Sequence, residues 1–259
     1  MNKICIILIL ISIIIFILFL LKKINIIEKY NEKSDFKFYI LTRFSILDHK
    51  AKHWEYTKHN DDANSYKKKL FSEERLSGKF NMFEKITLPS INNQTYKNYE
   101  WHIYTSPHLP DKYKKRLINI TKNNNKIKIF YVNSMNEMKN KTNSFFKNKE
   151  NYATLRLDDD DGLNKNFLLN LLKYKDKNGN IISCPNGKKY KIDNNSNIIL
   201  SENYYQKNIA IGLTAINKNI YDCGSHQDIN KDHNVIYDNM VDAYLLGTGN
   251  ATDTNRIFN

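Results

Sequence analysis

Hydrophobic and polar positions along the chain follow three successive patterns. From Ile4 to Leu21 only Ser12 interrupts a run of Ile, Leu, Cys and Phe, and Lys22-Lys23 ends it. That run is long enough to cross a hydrocarbon layer of about 30 Å. From Phe36 onward strand-like and helix-like stretches alternate. Residues 36–42 are strongly apolar and predict a first strand. Residues 63–91 carry helical spacing at Leu70, Phe71, Leu76, Phe80, Phe83 and Ile86, with a break expected at Pro89. Strands follow at 99–105, 127–132 and 152–157, with helices between them at 111–121 and 134–147. A helix-like run at 164–174 presents Phe167, Leu168, Leu171 and Leu172. Beyond it the pattern shortens to strands at 181–184, 188–192 and 198–200, with a hairpin expected around 193–197.

Strands separated by helices predict an α/β fold with a mostly parallel sheet flanked by helices. Ligands of such sheets gather beyond the carboxyl ends of the strands. The expected division is an anchor over 1–24, a short polar stem over 25–35 and one domain over 36–259. No small-residue cleavage pattern follows the apolar run, which favours a retained single N-terminal transmembrane helix over a removed signal peptide. The chain is therefore expected at a membrane. Lys22, Lys23, Lys29 and Lys33 lean toward a cytoplasmic domain. Asn-x-Ser/Thr triplets at Asn93, Asn119, Asn140, Asn194 and Asn250 lean the other way, and in so Asn-rich a chain they decide little.

The strand predicted at 152–157 runs into Asp158-Asp159-Asp160-Asp161-Gly162. If the strand continued, Asp158 and Asp160 would share one face and Asp159 the other. Two carboxylates on one face can hold a hard divalent cation, whose remaining positions suit water or phosphate oxygens. Helix capping is the competing reading, because acids favour helix entry. A cap does not need four acids, and adjacent like charges repel unless something neutralises them.

Composition alters this picture little. The net charge of +13 comes from Lys scattered through nearly every segment with Asn and Ile, a global bias and not a basic patch. No nucleic-acid-binding signature accompanies it, so no nucleic-acid partner is expected. Attraction to anionic lipid beside the anchor is the simpler consequence. Cys184 and Cys223 are the cysteines outside the apolar run; one bridge is conceivable, and no metal-ligand spacing exists.

Three segments in order carry a resemblance. Leu88-Pro89-Ser90-Ile91-Asn92-Asn93-Gln94-Thr95-Tyr96, followed by Tyr99-Glu100-Trp101-His102-Ile103-Tyr104, resembles a passage of GT-A-type glycosyltransferases. Phe38-Tyr39-Ile40-Leu41-Thr42-Arg43-Phe44 and Arg156-Leu157-Asp158 through Gly162 sharpen this toward the rhamnosyltransferase family. The resemblance covers residues 36–172 well and thins beyond them. It implies a GT-A-like fold, a nucleotide-sugar donor, a glycan acceptor and Mn²⁺ or Mg²⁺ held against the donor diphosphate. Carried over, the metal ligands are Asp158 and Asp160, with Asp158, Asp159, Asp161 and Arg43 as donor contacts; Arg43 also reads as a surface arginine. The ion would act as a Lewis acid on the departing nucleoside diphosphate. Gln94 and Tyr96 are expected to fix the turn before the second strand. The family's late His is absent: the corresponding residues are Gly247-Thr248-Gly249-Asn250. His233 and His226 are the substitutes, His233 being taken as the third ligand.

An inverting reaction needs a general base for the acceptor hydroxyl. Asp228, Asp232 and Asp238 are available, and Asp228 is taken as catalytic. Two functions follow: transfer of a sugar such as rhamnose, or a non-catalytic carbohydrate-binding or scaffolding protein that kept the fold.

Overall fold

A computed structural model describes residues 9, 11–19, 22, 35–48, 62–193, 195–249 and 252. Most of the expected anchor, the stem, and Asn194 and Asn250 lie outside them. Residues 11–19 are helical and exposed, with Ile13 through Phe19 displaying their apolar side chains. No helix among the described residues is long and apolar enough to cross a membrane.

The large sheet takes its strands in the order β10-β6-β9-β4-β1-β2-β3. They are β1 (Lys37–Phe44), β2 (Tyr99–Thr105), β3 (Ile127–Tyr131), β4 (Tyr152–Arg156), β6 (Ile181–Ser183), β9 (Thr214–Ile216) and β10 (Val235–Tyr237). Only β9 runs against the others. β1 lies between β4 and β2 in the sheet interior and is apolar on both faces, as a strand covered from both sides must be. Its Phe38, Ile40 and Phe44 enter one core with Leu76, Phe80, Phe83 and Leu117. Its Tyr39 and Leu41 enter a second core with Met138, Phe146 and Tyr152. The helices therefore divide between faces. α1 (Ala63–Leu70), α2 (Glu73–Met82), α3 (Leu88–Asn92), α4 (Asp111–Thr121) and α6 (Phe167–Leu171) precede or cover the first face; α5 (Met135–Phe146) and α7 (Ile229–Asp232) cover the second.

The long helix expected over 63–91 is interrupted at Phe71-Ser72, because the Ser72 hydroxyl accepts the Arg75 N–H and starts a new helix. Pro89 does not break it. A π-helical turn over Phe83–Thr87 precedes α3, and Pro89 stands in the first turn of α3, where its missing N–H is least felt. The helix expected at 164–174 shrinks to α6 and one 3₁₀ turn.

A smaller sheet, β5-β11-β7-β8, is built from β5 (Gly162–Leu163), β7 (Asn186–Ile192), β8 (Ile198–Tyr205) and β11 (Tyr244–Gly247). β7 and β8 form the expected hairpin, closed by Asp193, whose carboxylate accepts the Asn197 N–H at 2.7 Å. Cys184 and Cys223 are free and sit in different cores, so they form no bridge.

Candidate active site

β1, β2 and β4 run in parallel, so Phe44, Thr105 and Arg156 close their strands at one edge of the sheet, with Arg43 one residue before the end of β1. The last ladder bond beyond β4 runs from the Leu157 N–H to the Leu41 carbonyl. The chain then turns, the Asp161 N–H donating to the Asp158 carbonyl at 3.3 Å. Strict alternation therefore stops after Asp158. Asp158 and Asp160 do not act as a pair; Asp159 and Asp160 do.

Asp158 keeps the face of Leu41 and Thr154. Arg43 reaches it from β1, with Nη2 at 2.8 Å from Oδ1 and 3.1 Å from Oδ2, and Nε at 3.3 Å from Oδ1. Arg156 Nη2 lies 3.0 Å from Oδ2. Burial pushes the Asp158 carboxyl up, but Arg156 and Arg43 outweigh it and hold the group well below the usual range. Arg43 also lies over the Tyr221 ring, 5.9 Å from its centre. Arg156 Nε is buried and has no hydrogen-bond partner among the described residues.

Asp159 and Asp160 turn toward α2. The Lys79 ammonium lies 2.9 Å from Asp159 Oδ1 and 2.9 Å from Asp160 Oδ2. Its side chain is 1% exposed, as buried as the neighbouring Phe80. The backbone of the turn is fixed as well. Thr87 donates to the Asp159 carbonyl at 3.1 Å, and Tyr190 to the Asp160 carbonyl at 2.6 Å. Burial, then Asp160, Asp161 and Asp159, push the Tyr190 hydroxyl well up, which keeps it a donor. Asp161 accepts the Gly247 N–H at 3.0 Å. A Cβ on Gly247 would stand 2.4 Å from the Asp160 carbonyl, so that approach requires glycine.

This arrangement does not fit a divalent ion on Asp158 and Asp160, because both carboxylates carry cations of the chain and face different partners. No group of three or more His, Cys, Asp or Glu among the described residues is placed to hold a metal. His233 lies two residues before the start of β10, which is parallel to β4, so it stands at the sheet edge opposite the aspartates. There its Nδ1 meets Lys218 at 3.3 Å. His226 is half-buried in the loop before α7.

Asp238 is buried, accepts from Tyr174 and the Met240 N–H, and pairs with Lys173. Asp232 is exposed at the end of α7. Asp228 is exposed and pairs with Lys231 at 2.8 Å. Its neighbour Gln227 is joined through Asn208 to Tyr237 at the carboxyl end of β10. Gln94 and Tyr96 are structural. Gln94 bonds the Ser90 and Asn164 carbonyls and the Leu168 N–H, and Tyr96 the Phe36 carbonyl.

Sequence reasoning missed Lys79, Tyr190 and the part played by Arg156. Lys79 did leave a signal: it shares the apolar face of α2 that Leu76 and Phe80 define, where a lysine needs a buried partner.

The chain is similar to solved structures of S. aureus TarS residues 1–349. The complex with UDP-GlcNAc matches at 10% identity over 83% of this chain and 59% of that one, with a TM-score of 0.47. The complex with UDP matches at 11% identity over 82% and 60%, with a TM-score of 0.45. This chain thus spans about 60% of the length of that protein's structure. It is also similar to 4-diphosphocytidyl-2C-methyl-D-erythritolsynthase from Anaerococcus prevotii, at 13% identity over 78% and 86% and a TM-score of 0.40. Among curated proteins none matches. The family described as "Putative rhamnosyl transferase" matches residues 37–258.

Proposed function

The chain belongs to this rhamnosyl transferase family of glycosyltransferases, and from that premise we propose that it moves a sugar from a nucleotide-sugar donor to a glycan acceptor on a GT-A-like frame. Rhamnose is the sugar its family description favours. The observation that carries the reading is the meeting of Arg43, Asp158 and Arg156 where β1 and β4 end. A parallel sheet receives its ligands at that edge. The frame brings two guanidiniums there from residues 113 positions apart in sequence, so the edge is built to handle negative charge.

Departure of a nucleoside diphosphate leaves negative charge that fixed cations stabilise. Arg43 and Arg156 are the groups assigned to it. No step is drawn through Mn²⁺ or Mg²⁺, since the carboxylates expected to hold the ion carry the chain's own cations. For the acceptor hydroxyl we assign Asp228 as general base: it is solvent-accessible, whereas Asp238 is buried and fully bonded. Asp228→Asn then lowers kcat by about 10²–10⁴-fold while donor binding is kept. The membrane is assigned as a partner through the apolar run at the N-terminus.

A panel of nucleotide sugars, each assayed for transfer and hydrolysis with Mn²⁺ and with EDTA, tests the reading. Turnover of one donor is expected. Binding of nucleotide with no turnover of any donor would favour the non-catalytic carbohydrate-binding or scaffolding reading, for which the saturation of the acidic run speaks.

A further inference from the structure

β8 closes the small sheet, and among the described residues it pairs only with β7. Proteins commonly protect such an open edge with lysine or proline, or keep it short. β8 is eight residues long and contains no proline, lysine or arginine, although the chain carries 40 basic residues. Its Ile198, Leu200 and Tyr205 are instead 45%, 49% and 62% exposed.

The two ends of β8 reveal which backbone groups face outward. Asp193 donates its N–H to the Asn197 carbonyl, and Gln206 donates its N–H to the Pro185 carbonyl. Alternate residues of an antiparallel strand bond to opposite sides. Asn197, Ile199, Tyr204 and Gln206 therefore bond toward β7, whereas Ile198, Leu200, Asn203 and Tyr205 turn their backbone groups to the open edge. The register shift between Lys188 and Tyr190 absorbs the residue that would put the two halves out of phase. These four residues lie opposite Ile192, Tyr190, Lys188 and Asn186, so their side chains share the face of Tyr190. On that face Met82, Ile86, Tyr190, Ile192 and Leu245 form an apolar cluster, which continues to Ile198 and Leu200 and stops at the edge.

We propose that β8 pairs antiparallel with β8 of a second copy of this chain, about a two-fold axis between Ser201 and Glu202. In that register Ile198 meets the partner's Tyr205, and Leu200 meets the partner's Asn203. Outward backbone groups then face outward backbone groups on both sides of the bulge, and exposed Ile stands against exposed Tyr, a favourable cross-strand pair. A second copy fits better than lipid, which would leave the N–H and C=O groups of an open strand unbonded. Two chains of charge +13 repel one another where lysines crowd, and β8 offers an approach free of them. The pairing also braces β7, whose Tyr190 holds the Asp160 carbonyl.

Cross-linking tests the register. The full chain is co-expressed in two differently tagged forms, both Cys5→Ser, one with Ile198→Cys and the other with Tyr205→Cys, and treated with a short bismaleimide. The mixed sample is expected to yield at least about tenfold more cross-linked dimer than either form alone, because the axis sets each of these residues about 20 Å from its own copy. Leu200→Lys, at a half-exposed position, is expected to weaken the dimer at least about tenfold in sedimentation of the full chain in detergent. Thermal melts report its folding, and the cysteine pair decides without it. A monomer at every concentration overturns the proposal, as does equal cross-linking by the single forms or none by the mixed pair. Vesicle binding that Leu200→Lys abolishes, with no dimer at any stage, overturns it in favour of lipid. Donor turnover by a monomer would sink this inference and leave the transferase reading standing.

Discussion

Asp158 and Asp159 are chain neighbours of one residue type, yet their carboxylates serve opposite conditions. Asp158 lies on the α5 side of the sheet, partly exposed, between two arginines. Asp159, with Asp160, lies on the α2 side, nearly sealed, around one lysine. In the first cluster two guanidiniums share one carboxylate and solvent is near. In the second, one ammonium bridges two carboxylates and the backbone is tied by Thr87 and Tyr190. A buried charge with its partner removed is costly, whereas an exposed one is re-solvated. The buried half should therefore govern stability and the exposed half anion binding.

The largest effect separating the halves is Lys79→Met. It leaves Asp159 and Asp160 facing each other without their ammonium and is expected to cost about 3–5 kcal/mol in urea unfolding. A loss under about 1 kcal/mol would erase the contrast. Arg156→Lys makes the complementary test. It should lower kcat/KM by about 10–100-fold, because a lysine lacks the bidentate fork, with little change in the unfolding midpoint. Tyr190→Phe removes one buried bond to the acidic turn and should cost about 1–2 kcal/mol, with donor affinity little changed.

The smallest effect is a pH dependence. The Asp158 carboxyl is held below its ordinary value of 3.8, so its contribution to stability is complete above that value. The contribution is lost as pH falls from there through the lowered value. Asp158→Asn should flatten this part of the acid limb of unfolding, and an unaltered limb would show that the arginines do not hold the carboxylate in solution.

Most elements over residues 36–157, and one hairpin beyond them, were readable because their signals are local. The continuous apolar run of β1, the boundaries of β2 and α4, and the hairpin closed by Asp193 each follow from neighbouring residues. The interruption at Ser72 was readable in principle, since Ser followed by Glu73 and Glu74 is a helix-start pattern, but the apolar spacing across it concealed the break. Arg43 was placed at the right strand end. His233 was misjudged because residue type says nothing about strand direction; β9 runs against its neighbours, and β10 starts at the far edge.

Periodicity by itself determined the order of strands and helices as far as β4 and delivered four acids to the end of that central strand, since both depend on interactions within a few residues. It did not reveal β9, β10 or β11. It left open which cation each acid meets. Lys79 comes from 80 residues away and Arg43 from 115. Whether they meet the same carboxylate or different ones depends on a turn that begins one residue beyond the strand. That turn carries Asp160 over to the face of Asp159, where Tyr190 and Gly247 of the small sheet secure it. Only packing across the whole chain sets that rotation, so the tertiary structure alone separates the acid that serves the site from those that hold it together.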